Sequence, residues 1–175
     1  MIARNFVFIL LVISPNMALR QQVKADSGKI IIQDVQFEEI EEEVQPPPPN
    51  LKSNFKTLND WLYNICDHDK PKKSIAEFNF GLFESPNEYI LFLVGVNKYD
   101  EGKNHSRIII EFKPLKMYFK LPQKEYANLS REKLLDKLNS QLKDFASTKK
   151  FKTSFLAKAN TINFESNGQK IWSKE

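Results

Sequence analysis

Apolar residues recur at helical spacing from Phe55 through Leu58, Leu62 and Ile65, with Trp61 beside them, and predict an amphipathic helix. Ser53 or Asn54 is its candidate N-cap. Pro71 disfavours helical geometry at the residue before it, so the helix should stop near Asp67 to Lys70. The period then shortens. AEFNFGLF (76–83) and YILFLVGV (89–96) read as two strands, and Pro86 and Asn87 suit the tight turn of a hairpin between them. The second run is apolar on both faces, which marks a central strand. Asn97 to Ser106 reads as a loop, RIIIEF (107–112) as a third strand, and MYFKL (117–121) as a fourth after Pro114. Ser130 can cap a second helix, with Leu129 and Leu134 as a hydrophobic staple, and Leu135, Leu138, Leu142 and Phe145 carry it to about Ala146. Beyond it, Phe155 to Ala159 is open to a helical reading, Thr161 to Phe164 is extended, and Asn167-Gly168 turns into a last strand. The expected fold is α+β, in the order α-β-β-β-β-α-β, with an antiparallel sheet of about five strands and two helices packed on one face.

The chain before Leu51 has a different texture. Arg4 precedes an apolar run from Phe6 to Ile13, and polarity returns by Arg20. That run falls short of the roughly 20 apolar residues needed to span a bilayer. It fits a secretory signal, with cleavage after Ala18 or after Ala25 in Val23-Lys24-Ala25. An uncleaved anchor and a buried element of a cytoplasmic protein are the alternatives, and Pro15 interrupts a continuous helix in both. Ile31, Gln33, Val35 and Phe37 would share one face of a short strand. Five carboxylates then follow in six positions, Glu38 to Glu43, and their repulsion disfavours compaction. Pro46 to Pro49 favour a stiff polyproline II stretch of about 12 Å. The division is therefore a leader over 1–25, an acidic and proline-rich spacer over 26–50, and one domain over 51–175. In composition alone, the spacer is similar to the periplasmic linkers of TonB-type energy transducers.

Charge follows the same division. Four Lys/Arg and seven Asp/Glu fall in the first fifty residues, leaving 22 basic and 15 acidic residues behind them, a net +7. A basic body of this kind suits a protein partner with an acidic surface. Basic and aromatic residues alternate at Lys116–Lys120 and Lys149–Lys152, but such alternation is also what a half-buried element produces, and nucleic acid is not the expected ligand. Membrane proximity would come through the N-terminus. A single cysteine, Cys66, excludes an intrachain disulfide framework.

Candidate chemistry is sparse. Cys66 and His68 supply at most two soft ligands at a helix end, and the other histidine, His105, lies in a distant loop, so no metal site and no cofactor are expected. A Cys66 nucleophile would need His68 or His105 as base, plus an orienting group and an oxyanion site. Cys66 falls four residues after Leu62 on the apolar face, where a small buried hydrophobe is the ordinary reading. Glu77, Glu84, Glu88 and Glu111 lie in or beside strands, and nothing in their spacing selects an acid–base pair. No P-loop, dinucleotide fingerprint or nucleophile elbow is present.

Trp61-Leu62, Ile65-Cys66, Lys70-Pro71, Ile75, Phe80-Gly81-Leu82-Phe83-Glu84, Tyr89, Leu93-Val94-Gly95, Tyr99-Asp100 and Ser154–Ala159 together resemble a family of small bacterial α+β proteins. Their size and layout are similar to the immunity proteins of polymorphic toxin systems. The resemblance spans most of the chain after the prolines. It implies an α+β fold and a non-enzymatic role, and no site. This chain departs from the family in its leader and in Gly102-Lys103-Asn104-His105, where an acidic loop would be expected. The leading expectation is a non-enzymatic, exported protein-binding module that docks its partner through a sheet face or the 97–106 loop. Lys98, Tyr99, Lys103 and His105 are its candidate contacts. A structural cell-envelope accessory domain is the alternative, and a small enzyme using Cys66 or a carboxylate pair is the second alternative.

Overall fold

The computed structural model describes residues 37–40, 43–52, 54–86, 88–100, 105–126 and 128–174, with 37–40, 100, 105 and 106 described by their backbone. The expected leader, the strand residues Ile31 to Val35 and Lys103 lie outside these residues. Along the chain the elements are β1 (Phe37–Ile40), α1 (Leu58–His68), β2 (Glu77–Ser85), β3 (Glu88–Asp100), β4 (His105–Phe112), β5 (Tyr118–Lys120), α2 (Gln123–Tyr126), α3 (Arg131–Ser147), α4 (Lys149–Lys152), β6 (Thr161–Phe164) and β7 (Gln169–Ser173). They divide into a smaller unit, 1–41 with 98–108, and a larger one, 42–97 with 109–175.

In the smaller unit β1 runs parallel to the start of β4, pairing Phe37 with His105 and Ile40 with Ile108. The glutamates after Phe37 were expected to disfavour compact structure, yet Glu38 and Glu39 are strand residues. The register sets Glu39 opposite Arg107.

In the larger unit β2 and β3 form the expected hairpin, with Phe78 opposite Gly95 and Phe83 opposite Ile90. β5 pairs antiparallel with Ile90–Phe92 of β3. β6 lies along β2 in parallel, Phe78 beside Ile162, and β7 returns antiparallel to β6. The sheet is therefore mixed rather than antiparallel; β2, β3, β5, β6 and β7 supply its strands in this unit, joined by the end of β4, where about five strands were expected in all. Partner and direction are properties of the whole chain: the β2–β6 pairing joins residues 84 apart, which alternation along either strand cannot reveal. Four helices are described where two were expected, because α2 and α4 are single turns of four residues, too short to leave a periodic pattern.

Helix α1 begins after Thr57, not after Ser53 or Asn54. Thr57 Oγ1 accepts from the Asp60 N–H at 3.1 Å and Asp60 Oδ2 accepts from the Thr57 N–H at 3.1 Å, a complete capping box that outcompetes the upstream caps. It stops at His68, within the expected range. Ser130 caps α3 as expected, accepting from the Lys133 N–H at 3.4 Å. The 155–159 segment is a single 3-10 turn at Leu156–Lys158. Gly168 has φ 66° at the turn into β7, a backbone position that favours glycine.

Alternation along the strands sorts two faces. Phe78 and Phe80 of β2, Leu91 and Leu93 of β3, Phe119 of β5 and Ile162 and Phe164 of β6 join one core with Trp61, Leu62 and Ile65 of α1 and Leu134, Leu138, Leu142 and Phe145 of α3. Trp61 is wholly buried; its ring stacks on Phe119 at 5.6 Å and its indole N–H donates to the Lys116 carbonyl at 2.6 Å. That bond ties α1 to the turn before β5. The opposite face carries Glu77, Asn79, Gly81 and Phe83 on β2, Ile90, Phe92, Val94 and Val96 on β3, and Tyr118 and Lys120 on β5.

Candidate functional site

Of the contact residues expected from the sequence, Lys98 and Tyr99 fall at the far end of β3 and His105 at the start of β4, in the smaller unit. Lys98 and Tyr99 are exposed, with 40% of the Tyr99 surface in solvent. His105 opens β4, opposite Phe37. The expected 97–106 loop is shorter than the sequence suggested, because β3 continues to Asp100 and β4 starts at His105. Asn97 is half-buried and serves structure. Its Oδ1 accepts from the Ala76 N–H at 2.7 Å, and its Nδ2 donates to Glu111 Oε2 at 2.6 Å and to the Ser74 carbonyl at 3.0 Å.

Cys66 sits where α1 meets the turn after α4. Burial is the main influence on its thiol and pushes it up, while a hydrogen bond with Ser154 and the charge of Lys150 act the other way. Ser154 is itself buried, donating to the Phe151 carbonyl at 2.7 Å and accepting from the Leu156 N–H at 3.2 Å. Lys150 pairs with Asp67 and lies 6.0 Å from the Tyr63 ring. A nucleophilic cysteine needs the reverse bias, toward thiolate. His68 binds back to Asn64 on its own helix, at 3.0 Å from its carbonyl.

The strand carboxylates are engaged separately. Glu84 pairs with Arg131 at 3.0 Å, Glu88 with Lys120, and Glu111 with Lys73 at 2.9 Å. Among the described strand carboxylates, Glu77 meets a second carboxylate and raises its titration, and the sequence reading did not bring the two together. Glu165 follows β6 in a short 3-10 turn, and its carboxyl interacts with Glu77 and Asn79. Its carboxyl is pushed up by loss of solvent first and by the Glu77 charge second, against a hydrogen bond with Asn79. Asn79 is buried and its Oδ1 accepts from Asn163 at 3.3 Å, while Thr161 Oγ1 donates to Glu77 at 3.4 Å. Among the described residues no group of three or more His, Cys, Asp or Glu is placed to hold a metal ion.

Both aromatic–basic stretches put an aromatic inside: Phe119 is fully buried and Phe151 nearly so, which removes those rings from any stacking on bases. Among the described residues no helix is long and apolar enough to cross a membrane.

One further cluster was not anticipated. On the sheet face away from the core, the rings of Phe83 and Phe92 are 5.0 Å apart and Tyr118 is 6.3 Å from Phe83. Phe92 lies across Gly81, where a Cβ would come within 2.1 Å of its ring. The Tyr118 hydroxyl donates to the Gln45 carbonyl, immediately before the four prolines. The alternation of YILFLVGV and MYFKL held this information, but only the strand pairing assembles it.

No family model, curated protein or solved structure matches the chain.

Proposed function

We propose that the chain is a non-enzymatic protein-binding module of an exported or envelope-tethered protein, of the kind that its resemblance to polymorphic-toxin immunity proteins implies. The observation that carries this reading is the exposed Lys98-Tyr99 pair at the end of β3. An aromatic ring with a polar tip is side-chain chemistry enriched where proteins dock, and Tyr99 presents it at an element end rather than in a core, with the Lys98 charge beside it to suit an acidic surface. The net +7 of the chain after the spacer supports an acidic surface on the partner. The raised thiol of Cys66 and the separate engagement of Glu84, Glu88 and Glu111 support the non-enzymatic part of the reading.

The test is site-directed photo-crosslinking in the native host. A photoreactive residue at position 99 should capture one protein, while the same residue at Lys133, on the exposed side of α3, should not. Tyr99→Ala and Lys98→Glu should each weaken the complex, and added salt should weaken it further. Capture of the same protein from both positions, or a complex indifferent to both substitutions, would overturn the reading. Mass spectrometry of the native protein decides export: a start near Asp26 in an exported fraction supports it, and an intact Met1 in the cytoplasm refutes it.

A further inference from the structure

We infer that the Phe83–Phe92–Tyr118 cluster is a recognition site for an extended proline-rich segment, occupied in this chain by its own residues 43–49. The inference is independent of the Tyr99 surface. It stands on three observations within the larger unit.

The first is the cluster itself. Two phenylalanine rings and a tyrosine cluster across β2, β3 and β5 on the sheet face remote from α1 and α3, and Gly81 leaves room for the Phe92 ring over β2. Aromatic rows of this kind accept proline rings, which are rigid and lose little entropy on docking. The second is the hydrogen bond. Pro46 to Pro49 offer carbonyls and no N–H, so a site that recognises them must supply donors. Tyr118 does so, donating its hydroxyl to the Gln45 carbonyl at the entry to the prolines. Burial pushes the Tyr118 phenol up, so it remains a donor at neutral pH. The third is the course of the segment. Val44, Pro47 and Leu51 are half-buried while Glu43, Gln45, Pro46, Pro48 and Pro49 are exposed, and the Leu51 N–H donates to the Pro48 carbonyl at 3.0 Å, closing the stretch with a turn. Within 43–49 the residues half withdrawn from water, 44 and 47, are three apart, the repeat of a polyproline II helix laid along a surface.

A segment held in cis by a short connection competes at an effective concentration in the millimolar range, so an outside proline-rich peptide would meet an occupied site. The test vacates it. In the full chain, Pro46, Pro47, Pro48 and Pro49 are each changed to Ser, and a fluorescein-labelled peptide of residues 43–51 is titrated by anisotropy. The vacated chain should bind the peptide saturably, the wild type at least tenfold more weakly, and the vacated chain carrying Tyr118→Phe roughly fivefold more weakly. No binding to a folded vacated chain, or equal binding of a peptide with alanine in place of the prolines, overturns the inference. Should the four-serine chain fail to fold, hydrogen exchange in the intact chain decides. Tyr118→Phe should speed exchange of the Leu51 amide several-fold while leaving Leu93 protected; an unchanged Leu51 rate overturns the inference.

Discussion

At the scale of single residues, Trp61 illustrates how one side chain fixes several elements. It fills the core between α1 and the sheet, stacks on Phe119, and donates to the Lys116 carbonyl. Trp61→Phe keeps most of the apolar volume and leaves that carbonyl without its donor. A loss of about 1–3 kcal/mol is expected, read as a lower urea midpoint with an unchanged slope. Cys66 gives a second test. Burial holds its thiol protonated, so alkylation of the native chain at neutral pH should run well below the rate in urea, and Cys66→Ala should leave partner capture through position 99 intact. Fast native alkylation would reopen the enzymatic alternative. Glu165 gives a third. Its carboxyl binds a proton more tightly in the folded chain than in the unfolded one, so the folded state carries more protons and stability falls as pH rises from the ordinary value of 4.5 through the raised one. The residue as a whole is exposed, but its carboxyl faces Glu77 and Asn79. Glu165→Gln should therefore gain stability relative to wild type as pH rises above about 4.5, and Glu77→Gln should gain part of it; urea midpoints of the variants and wild type that stay parallel as pH rises would refute the pairing.

Elements show how local pattern and long-range partner divide the work. Gly81 and Phe92 are directly opposite in the β2–β3 hairpin, and a methyl at Gly81 would sit 2.1 Å from the Phe92 ring. Gly81→Ala should cost about 1–3 kcal/mol by overpacking. In the background of Phe92→Leu the same change should cost markedly less, a coupling that a double-mutant cycle measures. The hairpin itself was legible because its alternation, and the proline at Pro86 between its strands, are local. So were α1 and α3, whose apolar stripes are long, and the Ser130 cap. The start of α1 was misplaced because two upstream polar residues also qualify as caps, and only Thr57 has Asp60 three residues on to complete the box. Parallel β6 was legible as a strand but not as a neighbour of β2, and within the larger unit the mixed character of the sheet follows from that pairing. Of the candidate site, the exposure of Lys98 and Tyr99 could be anticipated from polar residues following an apolar run. The aromatic row could not, because Phe83, Phe92 and Tyr118 come from three strands and their common face depends on register.

For the whole molecule, the same division sets an expected folding order. The β2–β3 hairpin closes a turn of a few residues, whereas β6 reaches β2 only across a separation of 84 residues, with β4, β5 and the helices α2–α4 formed between them. Closing the longer loop costs more chain entropy before its contacts repay it, so pairings of high sequence separation tend to form late. Phe164 and Ile162 are buried in the common core, yet they enter it through β6. Phe164→Leu and Ile162→Val should destabilise the chain chiefly by speeding unfolding, with φ-values near zero. Leu91→Ala and Leu93→Ala, in the hairpin and equally buried, should slow folding, with φ-values well above those of β6. Stopped-flow chevrons on the four variants decide it. If the β6 substitutions slow folding as much as the β3 ones, the parallel pairing is already made in the transition state. The crossover would then be the nucleus of the fold, and the hairpin would assemble onto it.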